Sequence, residues 1–97
     1  VEIHRVNGNL LARKGEYLHA INQYIEAESL LLKLYNNKLE KRVYSNIYEK
    51  IVENALKIDD NQLAKKYYNI QRDNFGDKND VTERIRKKIN ILDLEIL

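Results

Sequence analysis

Apolar residues along this chain recur every three or four positions, and polar residues fill the intervals. Over residues 3–14, Ile3, Val6, Leu10 and Leu11 fall at helical steps. Over 17–35, Leu18, Ile21, Ile25, Leu32 and Tyr35 form one stripe, with Tyr17, Tyr24 and Leu31 beside it. Residues 43–58 carry Tyr44, Ile47, Tyr48, Ile51, Ala55 and Ile58; residues 62–74 carry Leu63, Ala64, Tyr67, Tyr68 and Ile70. Residues 81–97 carry Val81, Ile85, Ile89, Leu92 and Ile96. A period of 3.6 puts such positions on one helix face, so five amphipathic helices are expected. No stretch alternates strictly between apolar and polar, so no sheet is expected.

The breaks between stripes have their own chemistry. Gly15 suits a left-handed helix stop. Asn36-Asn37 is a weaker stop of the same kind. Asp59-Asp60-Asn61 should end the third helix and cap the fourth, placing acidic charge at its N-terminus. Phe75-Gly76-Asp77 should end the fourth. Asn79 or Asp80 should cap the fifth, with Glu83 placed three residues after Asp80 as in a capping box. These short links make successive helices antiparallel neighbours.

Composition narrows the picture. The chain has 97 residues, no Pro and only three Gly, which favours long uninterrupted helices. It has no Cys, which excludes disulfides and thiolate metal sites. The longest apolar run, Leu30-Leu31-Leu32, stops at Lys33, far short of the ~18 residues a membrane span needs. A net charge of +2 is not the footprint of a nucleic-acid binder. Val1 is followed by charged residues rather than an apolar block, so no signal peptide is expected and the cytoplasm is the expected location. The missing Met predicts that the chain is a piece of a longer protein.

Two helix pairs repeat. Ala20 precedes Tyr24 by four residues, Ala64 precedes Tyr68 by four, and a short polar turn comes before each Ala. The second set stands 44 positions after the first. The stretch from Gly8 through Leu10, Leu11, Gly15, Tyr17, Ala20 and Tyr24 to Ala27 resembles the core of the tetratricopeptide repeat (TPR) family. Small residues at Gly8, Ala20 and Ala27 let paired helices approach, while Leu11, Tyr17 and Tyr24 fill the space around them. The second unit keeps Tyr48, Ile51, Ala64 and Tyr68, but has Val52 in place of Gly8 and Gln71 in place of Ala27. His4 and Leu32 replace the large aromatic and the Pro that the family often carries. Without that Pro the second helix should run on to about Tyr35, which accounts for a spacing longer than the ~34 of the plain repeat. Such long spacings are similar to TPR arrays of bacterial sensor and regulator proteins.

Reactive constellations are absent from the pattern. His4 and His19 have no partner at ligand spacing and read as structural or exposed. Glu26 and Glu28, Asp59 and Asp60, and Glu49 and Glu53 form carboxylate pairs, but no nucleophile, phosphate loop or metal set accompanies them. They read as solvated faces and caps. The Tyr residues and Phe75 read as core packing rather than base-stacking platforms. The cluster Arg84, Arg86, Lys87 and Lys88 reads as a solvated face of the fifth helix. No catalytic residue, cofactor or metal is expected.

The resemblance implies one candidate site, the concave surface lined by the first helix of each pair. It would present Glu2, Arg5, Asn9 and Arg13, then Asn46, Glu49, Lys50 and Glu53, then Glu83, Arg84 and Lys87. Arg5 and Asn9 are similar to the start of the carboxylate clamp that holds a chaperone's C-terminus in some family members. Lys50 and Asp80 depart from the Asn and Lys of that clamp. A mixed-charge groove for another peptide is therefore the expectation, with Arg5, Asn9, Arg13, Asn46, Glu49, Lys50, Glu53 and Arg84 as candidate partner-binding residues.

The last stripe is widened by Ile91, Leu94 and Leu97, whereas a terminal helix capping an array should be polar outside. It is expected to pack on a further helix, or to drive self-association of the fragment. The sequence thus predicts an all-α fold of antiparallel helix pairs in a right-handed TPR-like superhelix. Its parts are a first repeat over 1–37, a degenerate second over 43–76, and an extra or capping helix over 79–97. The expected function is non-catalytic protein or peptide binding or scaffolding, without membrane. The alternative is a sensor segment of a bacterial transcription regulator or sensor kinase that binds a signalling peptide.

Overall fold

Each expected stripe becomes a helix in a computed structural model of the chain. These are α1 (Glu2–Arg13), α2 (Tyr17–Leu34), α3 (Lys41–Lys57), α4 (Asn61–Phe75) and α5 (Asp80–Ile91). The structure describes residues 2–34 and 41–91, and side chains over 3–34 and 46–90. Within them the fold is all-α, with no strand. Tyr35, the stop at Asn36-Asn37, the Tyr44 side chain, and Leu92 and Ile96 of the last stripe lie outside the described residues.

The two tight turns are the same structure made from different residues. Gly15 and Asp59, at equivalent places, have positive φ of 81° and 58°. Glu16 N donates to Leu11 O at 2.9 Å, and Asp60 N donates to Ala55 O at 2.9 Å. Gly15 N donates to Ala12 O at 3.0 Å, and Asp59 N donates to Leu56 O at 3.2 Å. Every one of these atoms recurs at the 44-residue offset, so the sequence repeat is also a repeat of backbone hydrogen bonding. Asp60 then caps α4, its side chain accepting from Leu63 N at 3.1 Å. Gly76 ends α4 with φ 97° and donates its N–H to Arg72 O. Asn79 caps α5, its Oδ1 accepting from Val81 N at 2.9 Å and Thr82 N at 3.3 Å.

Packing follows chain order. α1 packs on α2, α2 on α3, α3 on α4, and α5 on both α3 and α4. The core is continuous through Ala20, Ile21, Tyr24, Ala27 and Leu31 of α2, Ile47, Tyr48, Ile51, Val52 and Ala55 of α3, and Ala64, Tyr67, Tyr68 and Phe75 of α4. Val81, Ile85 and Ile89 of α5 complete it. Tyr48 sits 5.8 Å from the Tyr67 ring and 6.4 Å from the Phe75 ring, both tilted, so aromatic volume separates α3 from α4. In the first pair a glycine faces a ring instead. A Cβ on Gly8 would stand 2.7 Å from Cε1 of Tyr24, so a larger residue there collides with a buried ring.

One expected stripe does not face the core. Ile3, Val6 and Leu10 are 73%, 51% and 46% exposed, and Leu18 of α2 is exposed as well. α1 instead turns inward the strip that contains Gly8, with His4, Leu11 and Ala12 half-buried beside it. The close fit of Gly8 under Tyr24 fixes that rotation, and no described helix lies on the other side of α1. At the opposite end the described part of the last stripe is covered, since Val81, Ile85 and Ile89 are buried.

Candidate functional site

Asn9, Arg13, Lys50 and Glu53, four of the groove residues implied by the resemblance, meet in one cleft between α1 and α3. Its volume is about 280 Å³, and Ala12, Tyr24 and Asn54 complete the lining. Helix periodicity puts them together. Asn9 and Arg13 are one turn apart on α1, as Lys50 and Asn54 are on α3, and Glu53 lies beside them. Tyr24 rises from α2 and forms the floor. Its ring is buried, and its hydroxyl donates a short hydrogen bond to Asn9 Oδ1. Burial, reinforced by the charge of Glu53 and opposed by that of Arg5, pushes the Tyr24 hydroxyl up to about pKa 12. The hydroxyl therefore stays protonated and remains a donor across the physiological range. With its oxygen engaged by Tyr24, the Asn9 amide leaves its NH₂ group to donate. Asn54 is pinned by its own Nδ2, which donates to Lys50 O at 2.7 Å.

The seam between α3 and α5 is built differently. Glu49 takes two hydrogen bonds from Arg84, Nε to Oε2 and Nη2 to Oε1, both at 3.0 Å. Lys88 Nζ adds a third at 2.6 Å and reaches Glu53 at 3.3 Å. The Glu49 side chain is only 11% exposed. Burial alone would raise its carboxyl, but the hydrogen bonds and charges of Arg84 and Lys88 outweigh that and hold it below the usual range. Lys88 is raised in turn, since the Glu49 and Glu53 contacts outweigh its own burial. Glu49 and Arg84 thus spend their charge on each other, as a fork-to-fork pair that fastens α5 to α3.

The remaining candidates divide between these regions. Asn46 is exposed at the described start of α3, away from the cleft lining. Arg5 lies half-buried on α1, and its charge is felt at Tyr24. Neither Arg13 nor Lys50 forms an ion pair among the described residues, whereas Arg84 does. In the basic cluster of α5, expected to be a solvated face, Lys87 is exposed, but Arg84, Arg86 and Lys88 act as fasteners. Arg84 and Lys88 hold Glu49, and Arg86 donates from Nε to the Tyr68 hydroxyl at 3.0 Å and pairs with Asp77 at 3.2 Å. Their partners lie on α3, on α4 and in the turn after α4, at separations that periodicity along α5 does not reveal.

The histidines take structural places. His4 Nδ1 lies 2.9 Å from Gln23 Oε1, joining α1 to α2, and His19 faces Glu16 one turn away. Among the described residues no group of three His, Asp or Glu stands where it could hold a metal ion. No described helix is long and apolar enough to cross a membrane. Sequence reasoning missed Tyr24, Asn54 and Lys88 as members of the site. The apolar stripe gives the Tyr24 ring to core packing, and the i+4 spacings of Asn54 from Lys50 and of Lys88 from Arg84 are the signals for the other two. No protein-family model matches the chain, and no curated protein or solved structure matches it either.

Proposed function

We propose that this chain is a TPR-like helical-repeat module that binds an extended peptide segment of a protein partner in the cleft between α1 and α3. The observation that carries this reading is the convergence of Asn9, Arg13, Lys50 and Glu53 on one open, polar-lined cleft over the buried Tyr24 floor. A cleft with a buried floor, and with Asn9 and Asn54 held by hydrogen bonds, presents those amides at small entropic cost. The recurrence of the turn at 44 residues supports the repeat assignment, and the Gly8–Tyr24 contact supports the small-residue role that the resemblance implies. By that resemblance the pairs stack with a right-handed turn, and the partner lies along the first helices of each pair.

The test is selection from a displayed random-peptide library, followed by amide-shift mapping of an enriched peptide on the isotope-labelled protein. Shifts concentrated at Asn9, Arg13, Lys50 and Asn54 are expected. Failure to enrich any peptide above an unrelated helical protein, or shifts confined to the outer faces of α2 and α4, would sink the reading.

A further inference from the structure

The cleft is unequal in its hydrogen-bonding chemistry. Two of its acceptor groups are engaged. Asn9 Oδ1 takes the Tyr24 proton, and Glu53 takes Lys88. Its donors are not. Arg13 and Lys50 form no ion pair among the described residues, and the Asn9 NH₂ faces away from the bond that fixes its oxygen. Two cations and an amide donor without an acceptor define a place for an oxyanion.

Resting on the peptide-binding reading above, we propose that the α1–α3 cleft is selective for acidic peptide segments and holds an internal Asp or Glu side chain between Arg13 and Lys50. The volume of about 280 Å³ admits one side chain of that size with its backbone alongside. The cations come from different helices, so one carboxylate bridges α1 and α3, which are otherwise joined through α2. The α3–α5 seam does not compete for the same group, because Arg84 and Lys88 are already paired with Glu49 and Glu53. Nucleic acid fits less well. The one aromatic residue in the cleft is the Tyr24 floor, buried by its own packing, so no ring is offered for base stacking.

The same library selection tests this, with every peptide fused at its C-terminus so that no terminal carboxylate is offered. Enriched sequences should share an Asp or Glu. Replacing that acid by its amide in the resynthesised, C-terminally amidated peptide should weaken binding about tenfold, as should the double variant Arg13→Gln/Lys50→Gln. Lys50→Arg should restore most of the affinity to a Lys50 variant, and raised salt should weaken the wild-type complex. Neither side chain is ion-paired among the described residues, so the variants are expected to fold, and circular dichroism checks this. Enriched peptides without acids that still shift the cleft amides would overturn the proposal and leave the peptide-binding reading standing. No enrichment at all would remove both. An oligouridylate that displaces the peptide at lower concentration would also overturn it, by making the cleft a nucleic-acid site.

Discussion

In the first helix pair a glycine on α1 lies beneath the ring of Tyr24 on α2; in the second, Val52 stands at the equivalent place on α3 and is fully buried. Farther along, the first pair has Ala27 and the second has Gln71, both with no exposure. Yet the turns joining each pair match bond for bond. The comparison separates two kinds of information. A tight turn is a backbone object, satisfied by any residues that tolerate its dihedrals. The interval between helices is a volume object, set by the side chains that face each other. The second pair accepts bulk and tolerates a defect, for Asn69 Oδ1 and Gln71 Oε1, both on α4, are buried without a partner among the described residues. The tyrosines show the same divergence. Tyr24 sends its hydroxyl to Asn9 of its own pair, at the edge of an open cleft. Tyr68 receives Arg86 from the following helix, 3.0 Å away.

The sharpest way to break this contrast is to exchange its residues. Ala27→Gln places a long amide at a fully buried core position, and should cost about 3 kcal/mol or more in denaturant unfolding. Gln71→Ala, the reverse exchange, should cost less, because the lost volume is offset by removal of an unpaired buried oxygen. Equal costs would mean that the two pairs are packed alike.

Gly8→Ala comes next. The added methyl meets Tyr24 at 2.7 Å, against a helix-propensity gain of about 1 kcal/mol, for a net loss of about 1–2 kcal/mol. A gain in stability would show that α1 and α2 part freely.

Glu49→Gln tests the closed seam against the open cleft. It leaves Arg84 without its anion and Lys88 with Glu53 alone and should cost about 2 kcal/mol, while Lys50→Gln, which breaks no ion pair among the described residues, should cost little. The pH dependence has a definite sign. Because the folded Glu49 carboxyl is depressed, its contribution is full above the unfolded value near 4.5 and is lost as pH falls through the folded value. Lys88 is raised, so its contribution is full below 10.5 and is lost as pH climbs past its folded value. Wild type minus Glu49→Gln should therefore be flat near neutral pH and shrink in acid; a difference that grew in acid would contradict the depressed carboxyl.

The smallest effect concerns the shared turn. Asp59 holds φ 58° where the first pair has Gly15. Asp59→Gly should raise stability by roughly 0.5–1 kcal/mol, since a side chain in the left-handed region is strained and glycine is not. A loss would indicate that the Asp59 side chain compensates its backbone.

Much of this fold was legible because it is local. The stops at Gly15, Asp59 and Gly76 and the caps at Asp60 and Asn79 are written within four residues of where they act. Ala20, Tyr24, Ala64 and Tyr68 were likewise readable as core from their recurrence at helical steps. The rotation of α1 was not. Ile3, Val6 and Leu10 form as regular a stripe as any other, but a helix with one main neighbour covers one face, and the Gly8–Tyr24 fit chose the other.

The candidate site divides along the same line. Periodicity along α1 and α3 places Asn9 near Arg13 and Lys50 near Glu53, and it is the resemblance to the TPR repeat that nominates all four. What each charge does depended on partners far along the chain. Glu49 and Arg84 were nominated together as free groove residues, yet α5 brings Arg84 and Lys88 across 35 and 39 positions to neutralise Glu49. No helical period encodes that meeting. By itself the sequence determined the helices, their turns and their repeat, because those are set by dihedrals and hydrogen bonds between near neighbours. Only the tertiary structure decided which half of the groove is closed by its own charges and which half is left open, because that choice rests on the docking of helices distant in sequence.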